Sequence, residues 1–287
     1  MGWSEAFESV GVVIASRSEL VSCGARPRGL TAAVRNNYLT RVRRDHYALP
    51  GTAEDIVQAV RVGGRIACVT ALAHLGIFAF DSSFPHVHLR KSASRSRSPR
   101  NRFVPLTVDN RDGVELHWVP LAEPERANEF SVGLRDALIQ AVRCQHPWMS
   151  VASLDNALYL GLVDRGDIRF IFQQLGAKYS HLEKRLNGRS ESGQESVLRM
   201  ILDELGLDYE IQVTFPGIGR VDFLVENRLV VEADSRVAHD GWELHVRDRD
   251  RDIDLARHHL MSIRPAYRRT MFAPNDVRDA ILGLLTS

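Results

Sequence analysis

The stretch VDFLVENRLVVEADSRVAH, residues 221–239, decides the fold of the C-terminal part of the chain. Two short runs rich in Val and Leu predict the strands of a β-hairpin, with a turn centred on Asn227. The period of two in a strand places Leu229 and Val231 on one face and Glu232 and Asp234 on the other. A solvent-facing strand would spread its charges, whereas here the acids are clustered and interrupt apolar runs. That clustering calls for a chemical explanation.

The predicted turn also brings a third acid to the pair. With the hairpin centred on Asn227, Asp222 lies opposite Glu232, and the Cβ atoms of directly paired residues are about 4.5–5.5 Å apart. Carboxylates at that separation repel and raise each other's pKa, and a divalent cation held at about 2.0–2.6 Å from their oxygens removes the penalty. The hairpin therefore predicts a metal site built on Asp222 and Glu232.

Helices on either side of the hairpin carry further candidates. GQESVLRMILDELGL has apolar residues at core spacing, and Glu195 extends that stripe into the first helical turn. Glu195 is either a third acidic ligand or the Glu of an S-x-x-E capping box that begins at Ser192, and the sequence leaves both open. In WELHVRDRDRDIDLARHHL the helical period places Asp248 and Arg251 on one inward face. We expect these two charges to support the site.

The N-terminal segment has a different character. Residues 17–49 hold seven arginines against two acids, Glu19 and Asp45. Their pattern, helix, Gly/Pro turn, helix and then an alternating hairpin, predicts a winged helix, whose second helix enters the major groove of DNA. The predicted DNA-binding residues are Arg28, Arg35 and Asn36 on or near that helix, and Arg41, Arg43 and Arg44 on the wing. The alternative is a solvated basic face on a small helical domain.

The middle of the chain carries less chemistry. HVHLRKSASRSRSPRNR holds six basic residues between Arg90 and Arg102 and no acid, which predicts a mobile basic loop that contacts phosphates or is solvated. SVGLRDALIQAVRCQ and MSVASLDNALYLGLV are typical of structural amphipathic helices. A Walker loop, a GxSxG elbow and an HExxH motif are all absent from the sequence, so it does not support those chemistries.

Composition sets the general class. The chain has 287 residues, 44% hydrophobic and 25% charged, which is ordinary for a globular protein of roughly two domains. The three cysteines are scattered and lack CxxC spacing, which argues against a disulfide framework or a zinc knuckle and favours a reduced cytoplasm. The N-terminus has no basic n-region, and its apolar run VGVVIA is too short for a signal or a membrane span. We therefore predict a cytoplasmic location and no membrane partner.

Two resemblances extend this interpretation. SRSELVSCGARPRGLTAAVRNNYLTRVRRDHYALPG resembles the N-terminal winged helix of actinobacterial proteins related to the AbiEi antitoxins of abortive-infection systems. GGRIACVTALAHLGIFAF resembles the segment that follows in those proteins, so the resemblance covers about residues 5–165. It implies DNA binding, often autoregulatory, and a cognate toxin or antitoxin as partner.

The C-terminal constellation resembles the PD-(D/E)XK nuclease superfamily, in particular its Vsr-like endonuclease domains, over about residues 190–287. The matching parts are the leading helix with Glu195, the segments VDF, VVEAD and RDRDRD, and the strand MSIRPAY with Arg264. The resemblance implies that Asp222 and Glu232 bind Mg²⁺ or Mn²⁺ with help from Glu195. It also implies that Asp234 and His239 line the site, with His239 activating water, bridging the site to phosphate, or merely packed.

The chain departs from the pattern of that superfamily at two positions. Asp234 stands where the general pattern has a catalytic Lys, and Ser235 replaces a Gly common in the subgroup.

Together these features predict an α/β (α+β) multidomain protein. The predicted parts are a winged helix at 1–55, an AbiEi-like mixed domain at 56–178 and a restriction-endonuclease-like domain at 190–287. The expected function is metal-dependent hydrolysis of phosphodiester bonds in double-stranded DNA, in phage defence or a toxin-antitoxin system. The alternative is a non-catalytic DNA-binding antitoxin or regulator that keeps the nuclease fold as a scaffold. RNA as substrate and a homodimer stay open.

Overall fold

The computed structural model describes residues 2–234 and 242–286, and for 242–249 it describes the backbone alone. The chain is mixed α/β, with 46% helix and 18% strand in several small sheets, which confirms the predicted class at that level. It divides into two compact units. The first comprises Met1–Gln145 and Arg165–Ser180, and the second comprises His146–Asp164 and His181–Ser287. The three-domain boundaries stay a prediction.

The first unit begins with three helices and a small sheet. In chain order these elements are α1 (Trp3–Val10), β1 (Ile14–Ser16), α2 (Arg17–Ser22), α3 (Pro27–Arg35), β2 (Thr40–Arg43) and β3 (His46–Ala48). The strands are antiparallel in the order β1-β3-β2. Ser16 and Glu19 form a capping box on α2, and Pro27 occupies the first turn of α3, where its missing N–H costs nothing. Leu20, Leu30 and Tyr47 are buried together between the helices and the sheet.

The rest of the first unit is built from short strands and longer helices. Its elements are α4 (Glu54–Val62), β4 (Arg65–Ile66), α5 (Cys68–His74), β5 (His86–His88), β6 (Arg97–Ser98), β7 (Asn101–Pro105), β8 (Glu115–His117) and α6 (Leu134–Cys144). Strand β5 pairs antiparallel with β4 and parallel with β8. Gly64 is required where β4 meets β5, because a Cβ there would lie 2.4 Å from the backbone oxygen of His88.

One expectation for this region is wrong in part. The segment between Arg90 and Arg102, predicted as a mobile loop, contains strand β6 and the start of β7, which form an antiparallel hairpin. The hairpin contacts α4, and Arg61 of that helix donates a hydrogen bond to the backbone oxygen of Pro99. Alternating Arg and Ser residues are compatible with a strand, and the packing against α4 decides the outcome.

The second unit is a four-stranded sheet covered by helices. Helix α7 (Pro147–Tyr159) and most of the short helix α9 (Ser180–Glu183) belong to it, whereas α8 (Arg165–Leu175) belongs to the first unit. The other elements of the second unit follow α9 in the chain. They are α10 (Gly193–Leu205), β9 (Tyr209–Phe215), β10 (Gly219–Val225), β11 (Leu229–Val231), α11 (Trp242–Arg257), β12 (Met261–Ile263), α12 (Tyr267–Phe272) and α13 (Pro274–Thr286). The strand order is β12-β11-β10-β9, antiparallel except that β12 runs parallel to β11. The return from β11 to a parallel strand requires the crossover helix α11.

Each face of this sheet carries its own core. Phe223 and Val231 pack with Leu198 of α10 and Ile281 of α13, whereas Val230 packs with Leu255 of α11 on the other side. The predicted alternation along β11 is therefore confirmed.

Helix α7, which the sequence places in the middle domain, belongs to the second unit. It is joined to α10 by the buried ion pair of Asp155 with Arg199, at 2.7 Å.

No helix of the described residues combines the length and the apolar character needed to cross a membrane.

Candidate functional site

Helix α3 presents a basic face to solvent. Leu30 and Ala33 are buried, whereas Arg28 and Arg35 are exposed on the opposite side. The two arginines are seven residues apart, so they lie on one side of the helix two turns from each other. Asn36 follows directly as the C-cap residue and is also exposed. All three predicted residues are thus accessible to a ligand.

The hairpin of β2 and β3 carries the other predicted DNA-binding residues. Arg41 and Arg44 are exposed, and Arg43 is half-buried, where its guanidinium donates to the backbone oxygen of Val60 at 3.5 Å. Burial lowers the pKa of Arg43, and the charge of Arg97 lowers it further. Arg97 comes from the β6–β7 hairpin, so two basic segments distant in sequence meet here.

These segments form one cleft of about 580 Å³, called here the arginine cleft. It is lined by six arginines, Arg41, Arg43, Arg44, Arg95, Arg97 and Arg102, together with Asp45, His46, Ser94 and Phe103. Arg102 donates to the backbone oxygen of Arg41 at 2.5 Å, and its pKa is lowered first by burial and then by Arg41 and Arg61. The acid in the lining, Asp45, pairs with Arg44 at 3.5 Å. The cleft therefore holds an excess of positive charge that an anion would neutralise.

Arg41, Arg43 and Arg44 were predicted as DNA-binding residues, whereas Arg95, Arg97 and Arg102 belong to the segment predicted as a basic loop that either contacts phosphates or is solvated. The available signal was the alternation of Arg with Ser from 94 to 98, which fits a strand. Which surface that strand faces depends on its packing against α4, and the sequence does not contain that information in local form.

The acidic hairpin of the second unit has the predicted register. Phe223 pairs with Val231 and Val225 with Leu229, so the next pair outward is Asp222 with Glu232. The turn residues 226 and 227 both have positive φ, 49° and 54°, as in a type I′ turn. Arg228 closes the turn by donating its N–H to the oxygen of Val225 at 3.0 Å. The turn thereby brings the two carboxylates to neighbouring positions on adjacent strands.

The charge of Glu232 is compensated by two arginines. Its Oε1 lies 2.7 Å from a guanidinium nitrogen of Arg251 in α11, and its Oε2 accepts from Nε of Arg264 at 2.9 Å. Arg251 therefore points inward as predicted. Burial raises the pKa of Glu232, the two arginines oppose that shift, and the charge of Asp222 adds to it.

Asp222 is compensated much less. Its Oδ2 accepts from the N–H of Ala233 at 2.8 Å, and within the described residues it forms no ion pair. Burial raises the pKa of Asp222, and the nearby charge of Glu191 raises it further against the opposing effects of Arg220 and Arg251. Asp222 is thus half-buried, and its other carboxylate oxygen, Oδ1, accepts no hydrogen bond from the residues that the structure describes.

Glu195 forms the predicted capping box. Its carboxylate accepts from the N–H of Ser192 at 3.0 Å, and the Ser192 hydroxyl accepts from the N–H of Glu195 at 3.2 Å. The second carboxylate oxygen accepts from the N–H of Glu191 at 3.0 Å and from Gln212 at 3.1 Å. Burial and then the charge of Asp222 raise the pKa of Glu195, so it lies close to the acidic pair. The cap is formed, and a further role as metal ligand stays a prediction.

The other predicted site residues are placed only in part. Asp234 is exposed and forms an isolated parallel bridge with Ala266. Asp248 belongs to α11, whose backbone alone is described at that position. His239 lies outside the described residues. Arg264, predicted only as part of a matching strand, is the residue that the structure adds to this group.

The three carboxylates are the right type of ligand for a hard cation, but most of their oxygens already have partners within the fold. Carboxylate oxygens are the ligands that Mg²⁺ and Mn²⁺ prefer, and Asp222 offers one that accepts no described hydrogen bond. Both oxygens of Glu232 are taken by arginines and both oxygens of Glu195 by N–H donors. A metal ion held by Asp222 and Glu232 would therefore have to displace a guanidinium from Glu232.

Comparison with known proteins leaves these sites to be interpreted on their own geometry. No protein family matches the chain, and no curated protein matches it. The resemblances to AbiEi-related antitoxins and to Vsr-like endonucleases stay predictions from the sequence.

Proposed function

We propose that the protein binds double-stranded DNA through its first unit. The observation that carries this proposal is the arginine cleft, in which six guanidinium groups from two segments of the chain share one surface. Burial lowers the pKa of Arg43 and of Arg102, and the charges of neighbouring arginines lower both further, so like charges are held together there at a cost in repulsion. A polyanion offsets that cost, and arginine matches the geometry of phosphate oxygens.

The topology around the cleft supports duplex DNA over a smaller anion. The order of elements α1 to β3 and the sheet order β1-β3-β2 are compatible with the winged helix predicted from the sequence, which supports this proposal. In such a unit α3 reads the major groove, which assigns base contacts to Arg28, Arg35 and Asn36. The β2–β3 hairpin is then the wing, and its arginines lie in the cleft and contact the phosphate backbone. Cleft contacts fix position, and contacts from α3 supply sequence preference.

A binding experiment with matched charge changes tests this function. Arg95→Ala/Arg97→Ala removes two cleft charges, and neither side chain donates a hydrogen bond within the described residues, so packing changes little. The control Arg169→Ala/Arg278→Ala removes two exposed arginines that do not line the cleft.

Fluorescence anisotropy with a labelled duplex measures the affinity of the full chain. The cleft variant is expected to bind about tenfold or more weakly, because two phosphate contacts are lost, and the control to bind as the wild type does. Equal weakening by both variants would reduce the effect to net charge and sink the proposed cleft. Duplex RNA as competitor decides between the two nucleic acids.

A second candidate function, metal-dependent hydrolysis of phosphodiester bonds, is favoured by Asp222. Three neighbouring acids, Glu195, Asp222 and Glu232, all have raised pKa values, and Asp222 raises those of the other two. Mg²⁺ or Mn²⁺ held by Asp222 and Glu232 would polarise the phosphodiester and lower the pKa of an attacking water. In this arrangement the Glu195 cap fixes the start of α10 beside the acids, and Arg251 and Arg264 orient Glu232.

Cleavage of supercoiled plasmid with Mg²⁺, with Mn²⁺ and with EDTA tests the second candidate. Nicked or linear products are expected only with metal, and Asp222→Ala is expected to abolish them. Asp279→Ala removes an exposed acid of α13 and serves as control. If wild type and Asp222→Ala are equally inert while both bind DNA, a non-catalytic DNA-binding regulator is the better account. A role in phage defence and a cognate toxin or antitoxin as partner rest on the sequence alone. The same holds for a homodimer.

A further inference from the structure

Four side chains of the first unit, distant in sequence, converge on one point. The sulfur atoms of Cys68 and Cys144 and one ring nitrogen each of His86 and His117 all lie within 4.8 Å of one another. Nδ1 of His86 is 3.0 Å from Nε2 of His117 and 3.9 Å from the sulfur of Cys144. Both cysteines are free thiols. Two thiols and two imidazoles with their donor atoms facing each other form a Cys₂His₂ set, called here the Cys₂His₂ cluster.

The backbone places each donor from a separate element. Cys68 is the first residue of α5, and Cys144 is the last residue of α6. His86 and His117 lie on the adjacent parallel strands β5 and β8, and their rings stack with centroids 5.1 Å apart. The buried hydroxyl of Thr70 accepts the backbone N–H of His86 at 2.8 Å and holds that strand against α5.

Cys68 has an unusual backbone. Its φ is +49°, a left-handed conformation that is rare for a residue with a side chain and costs energy. Such strain is retained where the surrounding structure fixes it, often at functional positions. Here the strained residue is the fully buried donor of the cluster.

The distances match a tetrahedral zinc site. Zinc bonds of about 2.0–2.1 Å to nitrogen and 2.3 Å to sulfur, at tetrahedral angles, imply N···N and N···S separations of about 3.3 and 3.6 Å. The observed separations of 3.0 and 3.9 Å differ from these by a few tenths of an ångström. All the other pairs of donor atoms lie within 4.8 Å of each other.

We propose that Cys68, His86, His117 and Cys144 bind one zinc ion as a closed, structural site. Thiolate sulfur and imidazole nitrogen are the ligands that zinc prefers, and four protein ligands leave no position for substrate. The proposed zinc site shares no residue with the arginine cleft or with the three acids Glu195, Asp222 and Glu232.

A zinc ion here would stabilise a sheet that is otherwise weakly held. Strands β4, β5 and β8 have two or three residues each, so the ladder supplies few hydrogen bonds. The ion would tie two of these strands to α5 and α6. His86 and Cys144 also line an open cleft of about 570 Å³, through which zinc and a chelator can reach the cluster.

Metal analysis of the full chain tests the proposal. The protein is purified under reducing conditions without a metal-binding tag, and its zinc is measured by mass spectrometry. About one zinc per chain is expected, since four ligands close one site. Cys144→Ser and His117→Ala are expected to lose it, whereas Cys23→Ser and His181→Ala, which change residues outside the cluster, keep it. Replacement by Co²⁺ is expected to give the intense absorption of a tetrahedral ion with thiolate-to-metal charge transfer.

A measurement on the wild type covers variants that fail to fold. After zinc is removed by a chelator, the exposed thiol of Cys144 is expected to react with an alkylating reagent, and restored zinc is expected to protect it while Cys23 reacts alike in either state. The proposal is overturned if the protein carries no zinc and added zinc does not protect Cys144. It is also overturned if Cys68 and Cys144 form a disulfide under reducing conditions, or if the cluster variants retain zinc as the controls do.

Discussion

The salt dependence of DNA binding offers a quantitative test of the arginine cleft. Each phosphate neutralised by the protein releases condensed counterions, so the logarithm of the affinity falls with the logarithm of salt concentration with a slope of about −0.9 per contact. Six arginines line the cleft. If all six meet phosphates, the slope is about −5, and raising the salt from about 50 to 200 mM weakens binding by roughly a thousandfold.

Arg95→Ala/Arg97→Ala reduces the number of cleft contacts from six to four. The slope is then expected to become shallower by about two units, to about −3.5. Anisotropy titrations at four salt concentrations measure both slopes on the same duplex. The control Arg169→Ala/Arg278→Ala is expected to keep the wild-type slope, because exposed arginines outside the cleft release no counterions on binding.

Two results would refute this reasoning. A wild-type slope shallower than about −2 would mean that most of the cleft does not contact phosphate. Equal slopes in the wild type and the cleft variant would mean that Arg95 and Arg97 contribute only a diffuse field. Affinity measured at one salt concentration does not separate these cases, which is why the slope is the informative quantity.

Three further predictions concern stability. Asp155→Ala removes the closer of the two carboxylates that pair with the buried Arg199, the other being Asp203 at 3.4 Å, and should lower the free energy of unfolding by about 3–5 kcal/mol in urea titrations. Asp109→Ala on the surface should change it by less than about 0.5 kcal/mol, and similar values for both would contradict the buried pair. Folding raises the pKa of Asp222, so its carboxyl favours the folded state below its ordinary pKa and loses that contribution as the pH rises through the raised value. Asp222→Asn should therefore stabilise the protein near neutral pH and not at about pH 3. A gain in stability that persists in acid would point to another cause. Gly64→Ala should lower the free energy of unfolding by about 1–3 kcal/mol, because its Cβ would meet a backbone oxygen. Gly29→Ala has open space around it in helix α3 and should raise the free energy of unfolding by about 0.5–1 kcal/mol. Thermal unfolding compares the two variants, and a tolerated Gly64→Ala would show that β4 and β5 can separate.

The acidic hairpin shows what local sequence determines. Its register follows from a turn centred on Asn227 and from the alternation of apolar residues along β11, and both are properties of a few consecutive residues. The inward direction of Arg251 was predictable for the same reason, since helical period alone places it. Its partner was not predictable, because Arg251 and Arg264 reach Glu232 only once α11 returns the chain to a strand parallel to β11.

The Cys₂His₂ cluster shows the limit of spacing rules. A zinc knuckle is recognised by pairs of ligands a few residues apart, and the absence of such pairs from the sequence argues against one. The four donors of the cluster come from two helix ends and two strands, separated by many residues. Their proximity depends on the parallel pairing of β5 with β8 and on the packing of α5 and α6, which local pattern does not encode.

The charged side chains are compensated differently in the two units, and this difference indicates which unit suits an anion and which suits a cation. In the first unit the cleft arginines have one acid among them, Asp45, so their excess charge is directed to solvent and suits an anion. In the second unit the acids are largely neutralised within the fold, by arginines at Glu232 and by N–H donors at Glu195. Asp222 retains the least compensated charge of that group, so a cation that enters the second unit should be held there first. Substitution of Asp222 therefore separates a metal-dependent activity from DNA binding, since it removes the cation's strongest attraction while the arginines of the first unit are unchanged.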